Sequence, residues 1–168
     1  MVGSFLYYTR AVDMTILSAL NAIAGKEANP TERTMEYVRQ LLDYMHTNPN
    51  AIIHFWRSDM VLNVHSDASY MSTTRGRSHA GGYLFIVSVP IDRQDIKLNG
   101  NIAGTCAILK LVVASAAEAE LGVLFLNTQQ ARIIRLILED LDHPQPPTPI
   151  NVDNTTAVGI VNNTIRRQ

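Results

Sequence analysis

The stretch HSDASYMSTTRGRSHAGGYLF, His65 to Phe85, sets an aspartate after one apolar run and before a second, with glycines and arginines between them. An ionised carboxylate is expensive to desolvate unless it is paired, hydrogen-bonded or bound to a metal, so Asp67 at the end of a buried strand requires a reason. A bound metal ion would supply that reason. The run MVLNVHS (60–66) before Asp67 and the run GGYLFIVSVP (81–90) after it have strand character. With AIIHFW (51–56) they predict three strands in an antiparallel meander.

A turn-rich segment, DRQDIKLNGN (92–101), precedes a further strand expected at 102–111. Ser115 then opens the longest helical pattern, SAAEAELGVLFLNTQQARIIRLILEDLDH, and Pro144, Pro146, Pro147 and Pro149 form a stiff connector. PINVDNTTAVGIV reads as a short strand, a turn and the start of a helix. Strands, helix, strand, helix is a mixed α/β order in which the strands flanking a crossover helix tend to share one sheet. Before residue 50 the pattern is helical. Asp13 caps a helix through MTILSALNAIAGK, with Ile16, Leu17, Leu20 and Ile23 at helical spacing and Gly25 as its stop. Asn29, Pro30 and Glu32 announce a second helix with Met35, Val38, Leu41, Leu42 and Met45 along one side, ending at Asn48 and Pro49. A helical hairpin over 1–50 followed by an α/β domain over 51–168 is the expected organisation.

The chain has 168 residues, a formal charge of −1 and 46% hydrophobic residues, the composition of a core-forming domain without whole-molecule attraction to polyanions. Its one cysteine, Cys106, excludes an internal disulfide and a cysteine-based zinc site. The start, MVGSFLYYTRAVD, is interrupted by Arg10 and Asp13 and reads as neither leader nor membrane span, so a soluble intracellular protein is expected.

Three acids stand where strands end or a helix begins: Asp67, one of the pair Glu118 and Glu120, and Asp153. If the strands ending in Asp67 and Asp153 are parallel neighbours, both carboxylates reach one sheet edge, where α/β sheets place their sites. Ser115 and Glu118 have capping-box spacing, which gives Glu118 a local structural duty. Glu120 points about 200° away from it around the helix and is assigned to the metal. Taken singly, each acid is more often a turn former or cap, and Asp153 before Asn154, Thr155 and Thr156 could cap the last helix. His65 and His79 lack metal-ligand spacing, and Met14, Met35 and Met45 read as core filler.

VHSDASY, SHAGGYLF, SAAEAELGVLF and TPINVDNTTAVGIVNN, in this order, resemble the ribonuclease H domain of copia-type retrotransposon polyproteins, and GSFLYYTRAVD resembles the segment connecting the reverse transcriptase to it. The resemblance implies a ribonuclease H-like five-stranded mixed sheet flanked by helices, cutting the RNA strand of RNA–DNA hybrids. It implies Asp67, Glu120 and Asp153 as the catalytic and metal-binding acids, two magnesium ions with manganese as the alternative, and the reverse transcriptase of the same polyprotein as a partner. The expected place of action is a cytoplasmic retroelement particle, with the nucleus as the alternative and no membrane. Magnesium prefers oxygen ligands and keeps waters, which suits a few acids plus a substrate phosphate. Two ions about 3.5 to 4 Å apart support in-line hydrolysis without a nucleophilic side chain. Arg75 and Arg77 are the candidate phosphate contacts, with Asn154 and Thr155 as weaker ones, and hybrid recognition would rest on shape and 2′-hydroxyls. The family has a fourth acid after a basic stretch and a histidine. This chain stops at Gln168 where Arg166 and Arg167 begin such a stretch, so a C-terminally truncated domain is expected. The alternative is a catalytically incomplete module that binds nucleic acid or docks on a polymerase.

Overall fold

The computed structural model describes residues 2–73, 76–88 and 97–164, in two compact units spanning residues 1–54 and 55–168. In the first unit, helices α1 (Val2–Ala11), α2 (Leu17–Ala24) and α3 (Glu32–Thr47) enclose Ile16, Leu20, Ile23 and Leu41. The expected hairpin corresponds to α2 and α3. Asp13 does cap its start, accepting from the Thr15 amide (3.0 Å) ahead of a 3-10 turn over Met14–Ile16. Helix α1 was not foreseen; its Val2, Phe5 and Leu6 pack on that core. The helix announced by Asn29, Pro30 and Glu32 begins at Glu32, capped by Thr31, which exchanges capping-box bonds with Thr34. The buried stripe of α3 runs through Thr34, Val38, Leu41 and Met45, so Met35 and Leu42, expected on it, are exposed. They are seven residues apart and share a face, one position around the helix from the stripe.

In the second unit, strands β1 (Val61–Thr73), β2 (Arg77–Val87) and β3 (Asn101–Ile108) form an antiparallel meander. Helix α4 (Ala116–Asp140) then crosses over to β4 (Ile150–Asn151), which lies parallel to β1, and α5 (Thr155–Val161) follows. The mixed sheet has the order β3-β2-β1-β4, four strands among the described residues where five were expected. The run 51–56, expected as a strand, forms none. Ile52, Phe55 and Trp56 are exposed, and the Trp56 backbone is held by the Asn99 side chain (2.7 and 2.9 Å), not by a ladder.

β1 and β2 are longer than the apolar runs that announced them. Asp67 therefore lies inside β1, paired with Gly81, and the Gly81–Gly82 pair lies well inside β2. Alternate residues of β1 face α4: Leu62 and Val64, with Leu84 of β2, pack against Ala131 and Leu138. A smaller cluster of Ala80, Leu109 and Val123 lies toward the start of α4. Among the described residues no helix is long and apolar enough to cross a membrane.

Candidate metal centre

Strand register brings the two aspartates level. His65 pairs with Asn151 across the parallel β1–β4 contact, and two residues further along the same direction stand Asp67 and Asp153. Asp153 is free for this position because the cap of α5 comes from Asn154, whose Oδ1 accepts the Ala157 amide (3.0 Å). Glu120 arrives from the first turns of α4. That helix is started by Ser115, whose Oγ accepts the Glu118 amide (3.1 Å), while the Glu118 carboxylate accepts from Ala114 (2.7 Å), one residue before the expected Ser115 amide. Glu118 is thus spent on the helix start and Glu120 turns to the sheet.

One carboxylate oxygen from each of Asp67, Glu120 and Asp153 lies within 4.8 Å of the others. Both aspartates are exposed, whereas Glu120 is 4% exposed. β4 pairs with β1 only at Val64 and His65, so the Ala68 amide, further along that edge, has no strand to meet; Glu120 Oε1 accepts it at 3.2 Å. Glu120 Oε2 is buried without a hydrogen-bond partner among the described residues. Burial pushes the Glu120 carboxyl above its ordinary range, opposed by the Ala68 hydrogen bond and reinforced by the charges of Asp67 and Asp153. A buried carboxylate with one unpaired oxygen, close to two further carboxylates, is disfavoured unless a cation or a proton neutralises it. The donor set is all oxygen, which fits a hard divalent ion such as Mg²⁺ or Mn²⁺ and not a soft one. These three residues could hold such an ion.

A cleft of about 470 Å³ opens beside Asp67 and Asp153, bounded by His65, Tyr83, Asn151, Gly81 and Gly82. A Cβ on Gly81 would stand 3.3 Å from the Asp67 carbonyl oxygen and 3.8 Å from its Cβ, so glycine keeps the sheet surface beside Asp67 low. His65 and Tyr83 both tilt against the buried Phe85, with ring centroids 5.2 and 5.3 Å away, and the Tyr83 hydroxyl donates to Asn99 O (2.6 Å). Of the candidate phosphate contacts, Arg77 is exposed at the first position of β2, ahead of the cleft glycines Gly81 and Gly82 on the same strand. Thr155 is exposed at the start of α5, and Asn154 has its oxygen engaged in the cap. Arg75, Arg166 and Arg167 lie outside the described residues.

Sequence reasoning overlooked Asn127, Gly81 and Gly82 as parts of this region. The available signal for Asn127 was a polar residue on the buried stripe of α4, seven positions after Glu120, between Val123 and Ala131.

No family model matches the chain, and no curated protein sequence matches it. Among solved structures it is similar to the catalytic domain of human Endonuclease V. The identity is 14% and the TM-score 0.30, over 73% of this chain and 48% of that one, so the chain spans about half the length of that structure.

Proposed function

We propose that the second unit is a metal-dependent endonuclease of the ribonuclease H type that hydrolyses the RNA strand of RNA–DNA hybrids during retrotransposon reverse transcription. The convergence of Asp67, Glu120 and Asp153, with one Glu120 oxygen buried and unpaired, carries this reading. Bound divalent cations would supply the Lewis acidity that phosphodiester hydrolysis needs. The protein's own residues divide the remaining work. Asp67 and Asp153 present exposed oxygens to the cleft, and Glu120 is anchored from behind by the Ala68 amide. The glycine floor lets a polymer backbone approach Asp67, and Arg77 is available to a flanking phosphate.

The order of the motifs supports a copia-type origin, with residues 1–50 as the segment connecting to a reverse transcriptase and the retroelement particle in the cytoplasm as the place of action. Incubation of the chain with a labelled RNA–DNA hybrid and Mg²⁺ tests the activity. The expected result is cleavage of the RNA strand alone, lost on adding EDTA and in Asp67→Asn. Hybrid binding without cleavage by a folded chain, or undiminished cleavage by Asp67→Asn, would overturn it.

A further inference from the structure

Between the two hydrocarbon clusters beneath α4 lies a single amide. Asn127 is completely buried two helical turns after Glu120, on the same side of the helix. A polar group in such a place is costly unless its donors are used. Its Nδ2 donates to Ser66 Oγ (2.9 Å) and to Gly81 O (2.9 Å). Both acceptors adjoin one of the acids: Ser66 precedes Asp67 in β1, and Gly81 is its partner in β2. Gly82 completes the socket, since a Cβ there would lie 2.3 Å from Asn127 Oδ1, a distance that real Cβ atoms do not adopt. With the amide in this place, position 82 has no room for a side chain.

We infer that Asn127 is a positioning residue of the metal centre, fixing the rotation and height of α4 over β1 and β2 so that Glu120 faces Asp67 and Asp153. The inference rests on reading those acids as a metal centre. Three carboxylates within 4.8 Å repel, and a small roll or slide of the start of α4 would relieve them. Hydrocarbon packing is non-directional and opposes such a slide weakly, whereas two aimed N–H donors resist it. The Ala68 amide holds the tip of Glu120; Asn127 holds the helix that carries it.

The test is Mn²⁺ titration of the whole chain by calorimetry, alongside metal-free thermal unfolding. Gly82→Ala should lower the melting temperature by crowding the amide, and adding Asn127→Ala should recover part of that loss, because the new methyl group occupies the vacated space. Although refilled, the double variant should bind Mn²⁺ about 10- to 100-fold more weakly than the wild type, the range expected when a support behind a metal ligand is removed. A double variant that folds and binds Mn²⁺ as tightly as the wild type would overturn the inference while leaving the metal centre intact. If the double variant does not fold, Ser66→Ala decides: it strands one buried N–H of Asn127 and should lower the melting temperature, and weaker Mn²⁺ binding by the molecules that remain folded supports the inference, whereas unchanged binding overturns it. Absence of Mn²⁺ binding by the wild type, or binding that survives Asp67→Asn, would instead overturn the reading of the metal centre and the inference with it.

Discussion

The two halves of α4 rest on the same pair of strands and bury different surfaces, hydrocarbon alone toward the C-terminus and hydrocarbon mixed with polar groups toward the N-terminus. Its C-terminal half sets Ala131 and Leu138 on Leu62, Val64 and Leu84, all hydrocarbon. Its N-terminal half sets Glu120 and Asn127 on Ser66, the Ala68 amide and two glycines, and leaves two carbonyl-type oxygens, Glu120 Oε2 and Asn127 Oδ1, without partners among the described residues. Burial of apolar surface drives folding, and burial of unpaired polar atoms opposes it. The C-terminal half therefore holds the domain together, and the N-terminal half draws on that stability to keep like charges close. Stability and ion binding should therefore respond to different substitutions.

The largest expected effect is on the hydrocarbon side. Leu84→Ala removes a fully buried side chain from the centre of the cluster and should cost about 2–5 kcal/mol of stability, read from chemical denaturation. Mn²⁺ affinity of the folded molecules should be unchanged. A matching loss of affinity would break the division between the halves. On the polar side, Mn²⁺ at a hundred times its Kd should stabilise the wild type by about 2.7 kcal/mol, and Glu120→Gln should lose most of this gain. Equal stabilisation of both proteins would place the ion elsewhere.

Smaller is the pH dependence of the metal-free protein. Burial first, and the neighbouring carboxylates after it, raise the folded-state pKa of Glu120 above its unfolded value, so the folded state binds the proton more tightly. This contribution is fully present below the unfolded glutamate pKa of about 4.3 and is lost as pH rises through the folded value. Glu120→Gln has no such proton. The stability of the wild type relative to this variant should therefore fall on going from acid to neutral pH, as measured by unfolding in EDTA. A flat or rising difference would mean that the carboxylate is solvated or paired, and the contrast between the halves would weaken.

Much of the site was legible because it depends on local rules. The Ser115 cap fixed where α4 begins and which of two glutamates was free, and the matching positions of Asp67 and Asp153 after apolar runs gave their shared edge once β1 and β4 proved parallel. The strand limits were less legible, because Ser66, Ala68 and Ser69 are small and give no strong apolar alternation, although they extend β1 through the acid. Apolarity alone misled at 51–56, where exposed Ile52, Phe55 and Trp56 mimic a buried run. The match between Asn127 and Gly82 is a contact between elements distant in sequence, with no local pattern to announce it.

The smallest effect comes from a second glutamate on the same helix. Glu139 pairs with Arg135 one turn earlier at 3.1 Å, both side chains about a third exposed (38% and 30%). Water and salt screen such a pair, and removing it should cost about 0.3–0.5 kcal/mol. Arg135 also donates to the carbonyl oxygens of Gln145 and Pro146, pinning the proline connector, and these bonds survive when Glu139 is removed. Glu139→Gln should therefore shift the unfolding midpoint by little and leave the stabilisation by Mn²⁺ unchanged, whereas Glu120→Gln should lose most of that stabilisation. If the two substitutions behaved alike, burial would not be what distinguishes the acid at the sheet from the acid on the surface.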